Sequence, residues 1–108
     1  MKKVMISQPM GGKTSEEILA TKERATRVLE AKGYEVVNSL FSDEWKNSDL
    51  EAQGVVQTPL YFLAKSLEIM SQCHTVYFCK EWYNARGCRI EHETAIMYGL
   101  EVIYEDRL

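Results

Sequence analysis

Basic clusters and long apolar runs are both missing from this sequence. The longest basic run is Lys2-Lys3, and the formal net charge is −3. A nucleic-acid surface needs grouped positive charge, so we expect no nucleic-acid polymer as a partner. No stretch approaches the roughly 20 apolar residues of a membrane helix. The apolar run Val4-Met5-Ile6 is too short for a secretory signal. We therefore expect a cytoplasmic protein with no membrane partner.

Cysteine is also scarce. Cys73, Cys79 and Cys88 are odd in number and form no C-x-x-C pair, so we expect reduced thiols rather than a disulfide framework. Cys88 and His92 lie four residues apart, but zinc sites are typically built from two such short-spaced pairs. We therefore expect no metal site. A Cys88–His92 nucleophile is equally disfavoured, because their shared helix turn offers no third group to orient the base.

The sequence approaches a phosphate-binding loop but lacks its first glycine. A Walker A loop reads G-x-x-x-x-G-K-[ST]. Here Gly12-Lys13-Thr14 matches the end, while Ser7 stands where the first glycine belongs. Pro9 also removes one amide from the cradle, so we do not expect nucleoside-triphosphate hydrolysis. Gly11, Gly12 and the start of the following helix can still hold an anion.

The 108 residues are expected to form one domain, over residues 1–108. Short apolar runs predict strands over residues 2–7, 34–38, 74–78 and 100–104. Helical periodicity predicts helices over about residues 14–32, 58–70 and 88–98. Because strands and helices alternate, we expect a three-layer α/β fold. Its parallel sheet would have about four strands in the flavodoxin-like order 2-1-3-4.

Several helix ends can be predicted from side chains. Thr14 and Glu17 have the spacing of a capping box, and Gly33 suits the end of the first helix. Thr58 is the expected cap of the second helix. The buried stripe of that helix is predicted to be Leu60, Leu63, Leu67 and Met70. Residues 39–58 are less regular: we expect at most a short helix over about residues 48–53. This segment is either a lid or binding loop, or a cover for the sheet edge.

In that strand order, the loops after the first and third strands meet at one crevice, where open α/β sheets bind ligands. The first loop, residues 8–14, is rich in glycine. The second, residues 79–87, carries Trp82 and Tyr83, which are suited to stacking on a planar base. Glu91 follows one turn inside the next helix, where we expect the macrodipole to hold it ionised. A carboxylate at a helix start can also serve local electrostatics alone, so spacing leaves both interpretations open.

These residues carry a resemblance to a known family. Gly87-x-x-x-Glu91-x-x-x-Ala95, followed by Gly99 and an apolar strand, resembles the active-site helix of the nucleoside 2-deoxyribosyltransferase superfamily. The opening residues 5–10, MISQPM, followed by glycines, resemble the first strand and loop of that superfamily. Trp82 with residues 85–89, ARGCR, resembles a subfamily of small, functionally uncharacterised proteins within it. The similarity covers nearly the whole chain.

The resemblance implies a flavodoxin-like fold and a glycosyl chemistry. Glu91 would attack C1′ of a deoxyribosyl group, and a second base or water would resolve the glycosyl-enzyme. The partner would be a nucleoside or nucleotide, with no cofactor, and the protein would be a homodimer or larger homo-oligomer. The catalytic residue that we predict is Glu91. The substrate-binding residues that we predict are Ser7, Gln8, Met10, Gly11, Trp82, Tyr83, Asn84, Arg86 and Gly87.

Departures from the superfamily keep an alternative open. The superfamily tends to place acids before and at the third strand, where this chain has Ser66, Gln72 and His74. Those acids help to position the base or sugar, and His74 could replace one of them as the acid for the leaving base. Without them, the crevice suits a non-catalytic module that senses or sequesters a nucleotide. A purely structural or interaction protein is the third hypothesis, and it would not need glycine-rich and aromatic loops at one crevice.

Overall fold

The computed structural model describes residues 1–37 and 50–107. Its centre is a parallel sheet of four strands, β1 (Lys3–Ser7), β2 (Glu35–Val36), β3 (Thr75–Phe78) and β4 (Glu101–Tyr104). The strand order is β2-β1-β3-β4, which confirms the predicted order 2-1-3-4. Three described helices accompany the sheet: α1 (Ser15–Ala31), α2 (Thr58–Met70) and α3 (Arg86–Met97). This α/β arrangement is consistent with a flavodoxin-like fold.

Successive side chains of the central strands point to opposite faces of the sheet, and each face carries its own core cluster. Val4 and Ile6 of β1 pack in one core cluster with Leu29 of α1. Val76 and Phe78 of β3 pack in a second cluster, together with residues of α2 and α3. Successive residues of a strand point to opposite faces, so one short run serves two cores. The three-layer fold, predicted from the order of strands and helices, is confirmed.

Both ends of α1 are built as the sequence predicts. The Thr14 Oγ1 accepts a hydrogen bond from the Glu17 amide, and a Glu17 carboxylate oxygen accepts one from the Thr14 amide, both at 3.1 Å. These reciprocal bonds form the predicted capping box. At the other end the helix stops at Ala31, and Gly33 adopts a φ of 90°, which favours glycine.

The second helix departs from its predicted cap and stripe. Thr58 is the first helical residue rather than the cap; the cap position is Gln57, whose side chain makes no capping bond. Leu60 is 61% exposed, and only Met70 of the predicted stripe is buried. Apolar residues stand on every side of the first two turns, so the sequence pattern could not tell which of them faces the sheet.

Other boundaries shift by one or two residues. β2 comprises two residues instead of the predicted five, and the helix expected at about residue 88 begins at Arg86. Residues 38–49 lie outside the described part of the chain, as does most of the predicted lid or edge cover. The described portion of the short helix expected over residues 48–53 forms turns, in which the Leu50 carbonyl accepts bonds from the Gln53 and Val55 amides. None of the described helices is long and apolar enough to cross a membrane.

The capping box supplies a stability prediction. Thr14→Ala removes the side-chain oxygen that satisfies the Glu17 amide, so we expect the free energy of unfolding to fall by about 1 kcal/mol. Urea denaturation followed by circular dichroism measures this change. Glu23→Ala, at an exposed position in the middle of the same helix, is the matched control. An equal loss in both variants would show that the cap contributes nothing.

Candidate functional site

A cavity of about 680 Å³ opens at the carboxyl ends of β1 and β3. The two strands are parallel neighbours, with Ser7 paired to Phe78, so the loops that follow them emerge side by side. This confirms the expectation that both loops meet at one crevice. The lining side chains come from three parts of the chain: the loop after β1, the first turns of α2, and the segment that leads into α3. They are Gln8, Pro9, Met10, Gly11, Lys13, Pro59, Phe62, Leu63, Ser66, Glu81, Asn84, Ala85, Arg86, Gly87, Cys88 and Glu91.

Glu91 lies at the inner wall of this cavity. Its side chain is only 7% exposed, and the Ser7 hydroxyl donates a hydrogen bond to its Oε1 at 3.2 Å. Ser7 is the last residue of β1 and is itself buried. The bond therefore ties the central strand of the sheet to α3 and fixes one oxygen of the carboxylate.

Burial controls the charge of Glu91. The loss of solvation raises the pKa of Glu91 to about 7, and the Ser7 hydrogen bond opposes that rise. The sequence prediction that the macrodipole holds this group ionised is therefore wrong. Because α3 begins at Arg86, Glu91 lies in the second turn, where the dipole is weaker than desolvation. No lysine or arginine within the described ranges forms an ion pair with it.

Cys88 shares the wall with Glu91 but is a poor nucleophile. It is 4% exposed and lies one turn earlier on the same helix face. Burial, together with the nearby Glu91, raises the pKa of the Cys88 thiol to about 11. His92 points elsewhere, toward the Tyr104 hydroxyl. Across residues 1–37 and 50–107, no group of three or more His, Cys, Asp and Glu could hold a metal ion.

Gln8 contributes a buried polar group without a partner. The residue is 7% exposed and lines the cavity, and its Oε1 accepts no hydrogen bond from any described residue. A buried amide oxygen left unsatisfied costs about 1–3 kcal/mol. A donor on a bound molecule would remove that cost. The Gln8 side chain therefore leaves an open hydrogen-bond acceptor at the cavity wall.

Two cationic side chains line the cavity although the chain is acidic overall. Lys13 and Arg86 both line it, and neither forms an ion pair with a carboxylate of the described residues. The cap position of α3 is Ala85, which has no side-chain acceptor for the first amides of the helix. Gly87 and Cys88, in that first turn, also line the cavity. Uncapped amides beside two cations favour an anionic group.

Three sequence-predicted residues do not line the cavity: Ser7, which reaches it only through its hydrogen bond to Glu91, and Trp82 and Tyr83. Trp82 stacks on His92, with ring centroids 4.1 Å apart, and packs against Phe78. Tyr83 is 54% exposed. Both line a separate groove beside α3, which Arg86 also borders. The prediction that they face the ligand in the crevice is corrected here. Asn84 and Arg86 do line the cavity, as predicted.

The apolar wall comes instead from α2, which the sequence analysis did not assign to the site. Pro59, Phe62 and Leu63 line the cavity from the first two turns of that helix. The strand order could have predicted the contribution of α2. A helix that follows a parallel strand begins at the carboxyl edge of the sheet, so its first turns lie beside the crevice.

The three positions that depart from the superfamily do not lie together. Ser66 lines the cavity, whereas Gln72 is exposed in the turn after α2. His74 precedes β3, and its Nδ1 accepts a hydrogen bond from the Lys3 amide at 3.0 Å. It therefore lies at the opposite edge of the sheet, roughly 13 Å from the crevice at 3.3 Å per residue. The interpretation of His74 as an acid for the leaving base is wrong.

The buried carboxyl supplies a prediction about stability and pH. The folded protein binds the Glu91 proton more tightly than the unfolded chain, since the pKa rises from 4.5 to about 7 on folding. Raising the pH through this interval therefore removes stability, by about 1.4 kcal/mol for each pH unit. Glu91→Gln cannot ionise, so its stability relative to the natural protein should increase between pH 4.5 and 7.

Urea denaturation at pH 4.5, 6 and 8 measures this difference. Glu93→Gln is the control, because it removes one carboxylate from the exposed side of the same helix. A constant difference between Glu91→Gln and the natural protein at all three pH values would contradict the prediction.

Comparison with known proteins gives a family without an activity. No curated protein sequence matches the chain. One family model, described as Domain of unknown function (DUF4406), matches residues 2–104. The matched segment includes both loops of the crevice, Ser7 and Glu91. Since the match covers nearly the whole sequence, the chain belongs to the DUF4406 family.

Proposed function

We propose that the protein cleaves or transfers at the N-glycosidic bond of a nucleoside or nucleotide, with Glu91 as the nucleophile. The observation that carries this proposal is the burial of Glu91 at a cavity, without an ion-pair partner among the described residues. Such a carboxyl costs stability, and perturbed carboxyls of this kind cluster at functional sites. The cavity volume also lies within the usual range of about 300–1,000 Å³ for small-molecule sites.

The chemistry needs one carboxylate and no cofactor. Glu91 would attack C1′, forming a C1′–O bond while the C1′–N bond breaks and its electron pair leaves with the base. The base takes up a proton from water as it departs. Water or a second base then attacks C1′ from the vacated side and releases Glu91, so that the anomeric configuration is retained. The Ser7 hydroxyl holds Oε1, which leaves Oε2 to form the new bond.

The raised pKa suits this role at neutral pH. With a pKa of about 7, Glu91 is ionised in a substantial fraction of molecules. The ionised form lies in a water-poor wall, where it has few solvent hydrogen bonds to lose before it attacks. A fully solvated carboxylate would be more abundant but better stabilised by water.

The other walls fit the parts of a nucleotide. Phe62, with Pro59 and Leu63, offers an apolar surface for the flat base. The Gln8 amide can pair with a polar edge of the base or with a sugar hydroxyl. Lys13 and Arg86 face the same space and suit a 5′-phosphate. This division of the cavity supports a nucleoside monophosphate over an uncharged nucleoside.

One observation favours a second candidate, a module that binds a nucleotide without cleaving it. The described residues provide only two carboxyls to the cavity, Glu91 and the exposed Glu81, and Ser66 occupies one of the positions where the resembling superfamily tends to have an acid. A leaving base needs a proton donor. A sensor would retain the anion-binding end and the apolar wall and would not need the ionised form of Glu91.

Base release separates the two candidates. We expect the protein to release free base from at least one of 2′-deoxyadenosine, 2′-deoxyguanosine, 2′-deoxycytidine, thymidine and their 5′-monophosphates, followed by liquid chromatography. Glu91→Gln should lower the rate by on the order of 10³-fold or more, whereas Glu93→Gln should retain it. Binding without release, unaffected by Glu91→Gln, would favour the sensor. If calorimetry detects no binding of any compound, both candidates fail.

The pH dependence tests the role of Glu91 as a nucleophile. Only the carboxylate attacks, so kcat/KM should rise with pH and level off above about pH 7, the pKa of the free enzyme. Steady-state rates of base release between pH 5 and 9 give this profile. A profile that falls as the pH rises through 7 would mean that Glu91 acts as a proton donor instead.

A further inference from the structure

Trp82 connects three elements of the fold although it lies outside the cavity. Its ring stacks on His92 of α3 at 4.1 Å and 24°, and it packs against Phe78 of β3 at 5.4 Å. The Tyr104 ring of β4 lies 5.8 Å away. The Tyr104 hydroxyl and His92 Nε2 are hydrogen-bonded to each other. Trp82, His92 and Tyr104 therefore form one aromatic brace at the carboxyl edge of the sheet.

The brace holds a short turn whose other residues do line the cavity. Residues Trp82–Asn84 form a 3₁₀ turn, closed by bonds from the Asn84 amide to the Glu81 carbonyl and from the Ala85 amide to the Trp82 carbonyl. Residues of a 3₁₀ turn are rotated by about 120° from one to the next. Asn84, two residues after Trp82, therefore points in a different direction when Trp82 is held outward in the brace. Asn84 lines the cavity, as do the flanking residues Glu81 and Ala85.

The backbone conformation of Glu81 indicates that surrounding contacts constrain this turn. Its φ of 64° is the only positive φ among the non-glycine residues that the structure describes. This left-handed conformation is costly for a residue with a Cβ and persists where the surroundings over-determine it. Glu81 lies between two fixed neighbours: the Lys80 amide donates a hydrogen bond to the Glu105 carboxylate at 3.1 Å, and Trp82 packs in the brace. The brace therefore supplies the constraint on the Trp82 side of Glu81.

We propose that Trp82, His92 and Tyr104 are positioning residues, which lock the 81–86 segment so that Asn84 and Arg86 face the cavity. His92 connects the other two residues of the brace, because it stacks on Trp82 and is hydrogen-bonded to Tyr104. All three rings are only half-buried, so they lie at the margin of the core. The expected effect of these residues on ligand binding rests on the proposed function. Their expected effect on the conformation of the 81–86 segment is independent of it.

The native cysteines report on the segment without any ligand. Cys79 and Cys88 are buried at its two ends, whereas Cys73 lies at the opposite edge of the sheet, between α2 and β3. We expect His92→Ala and Trp82→Ala to raise the N-ethylmaleimide alkylation rates of Cys79 and Cys88 by roughly tenfold, because local opening exposes them. The rate at Cys73 should not change. Peptide mass spectrometry resolves the three sites.

Conservative variants keep the test informative if an alanine variant does not fold. Tyr104→Phe keeps the ring and removes only the hydroxyl, so the rates at Cys79 and Cys88 should rise by a smaller factor. Trp82→Phe should restore most of the protection lost in Trp82→Ala. Ile96→Ala, at an exposed position one turn beyond His92, is the control. Unchanged rates at Cys79 and Cys88, or an equal rise at all three cysteines, would overturn the proposal.

Kinetics then separate positioning from general stability. With the panel compound that the protein cleaves fastest, Trp82→Phe and Tyr104→Phe should raise KM several-fold and leave kcat within about twofold, since Glu91 is untouched. An unchanged KM would overturn the link to the ligand. If the natural protein releases no base, the proposed function fails, and the alkylation rates still decide whether the brace holds the segment.

Discussion

The hydrogen bond between Ser7 and Glu91 is the contact on which the site depends. It joins the end of the central strand to the inner face of α3, and both partners are buried. Its geometry requires that β1 and β3 run parallel in register, because only then does the helix after β3 begin beside the end of β1. A shift of one residue would turn Ser7 to the opposite face of the sheet. Fold and site therefore share one constraint.

Patterns that are local in sequence were predictable, and so was the topology that follows from them. The short apolar runs predicted β1 and β3, and Thr14 with Glu17 predicted the start of α1. The alternation of strands and helices gave the order 2-1-3-4. That order placed both loops at one crevice before any side-chain position was known.

The wrong predictions concern side-chain direction and exposure to water, which the spacing of residues in the sequence does not determine. Trp82 and Asn84 are two residues apart and looked equivalent, but a 3₁₀ turn sends them in different directions. The charge of Glu91 depends on how much water reaches it, and the surrounding packing decides that. Phe62 was missed because α2 is apolar on several sides, so its cavity-facing residues could be chosen only from the topology.

The cavity lining combines a buried carboxyl, Glu91, with two cationic side chains, Lys13 and Arg86. An anion bound near Lys13 and Arg86 would raise the pKa of Glu91 further, because like charges disfavour each other. The positive charges of Lys13 and Arg86 and the uncapped amides at the start of α3 would offset the repulsion between that anion and the Glu91 carboxylate. Neither cation forms an ion pair with Glu91. In the proposed function they therefore stay available to an anionic group of the ligand. A cation paired with Glu91 would stabilise the ionised carboxylate and lower its pKa, and it would also occupy an oxygen that the proposed chemistry requires. Burial without an ion-pair partner among the described residues instead raises the pKa of Glu91 to about 7, which is the arrangement that the proposed role as a nucleophile calls for.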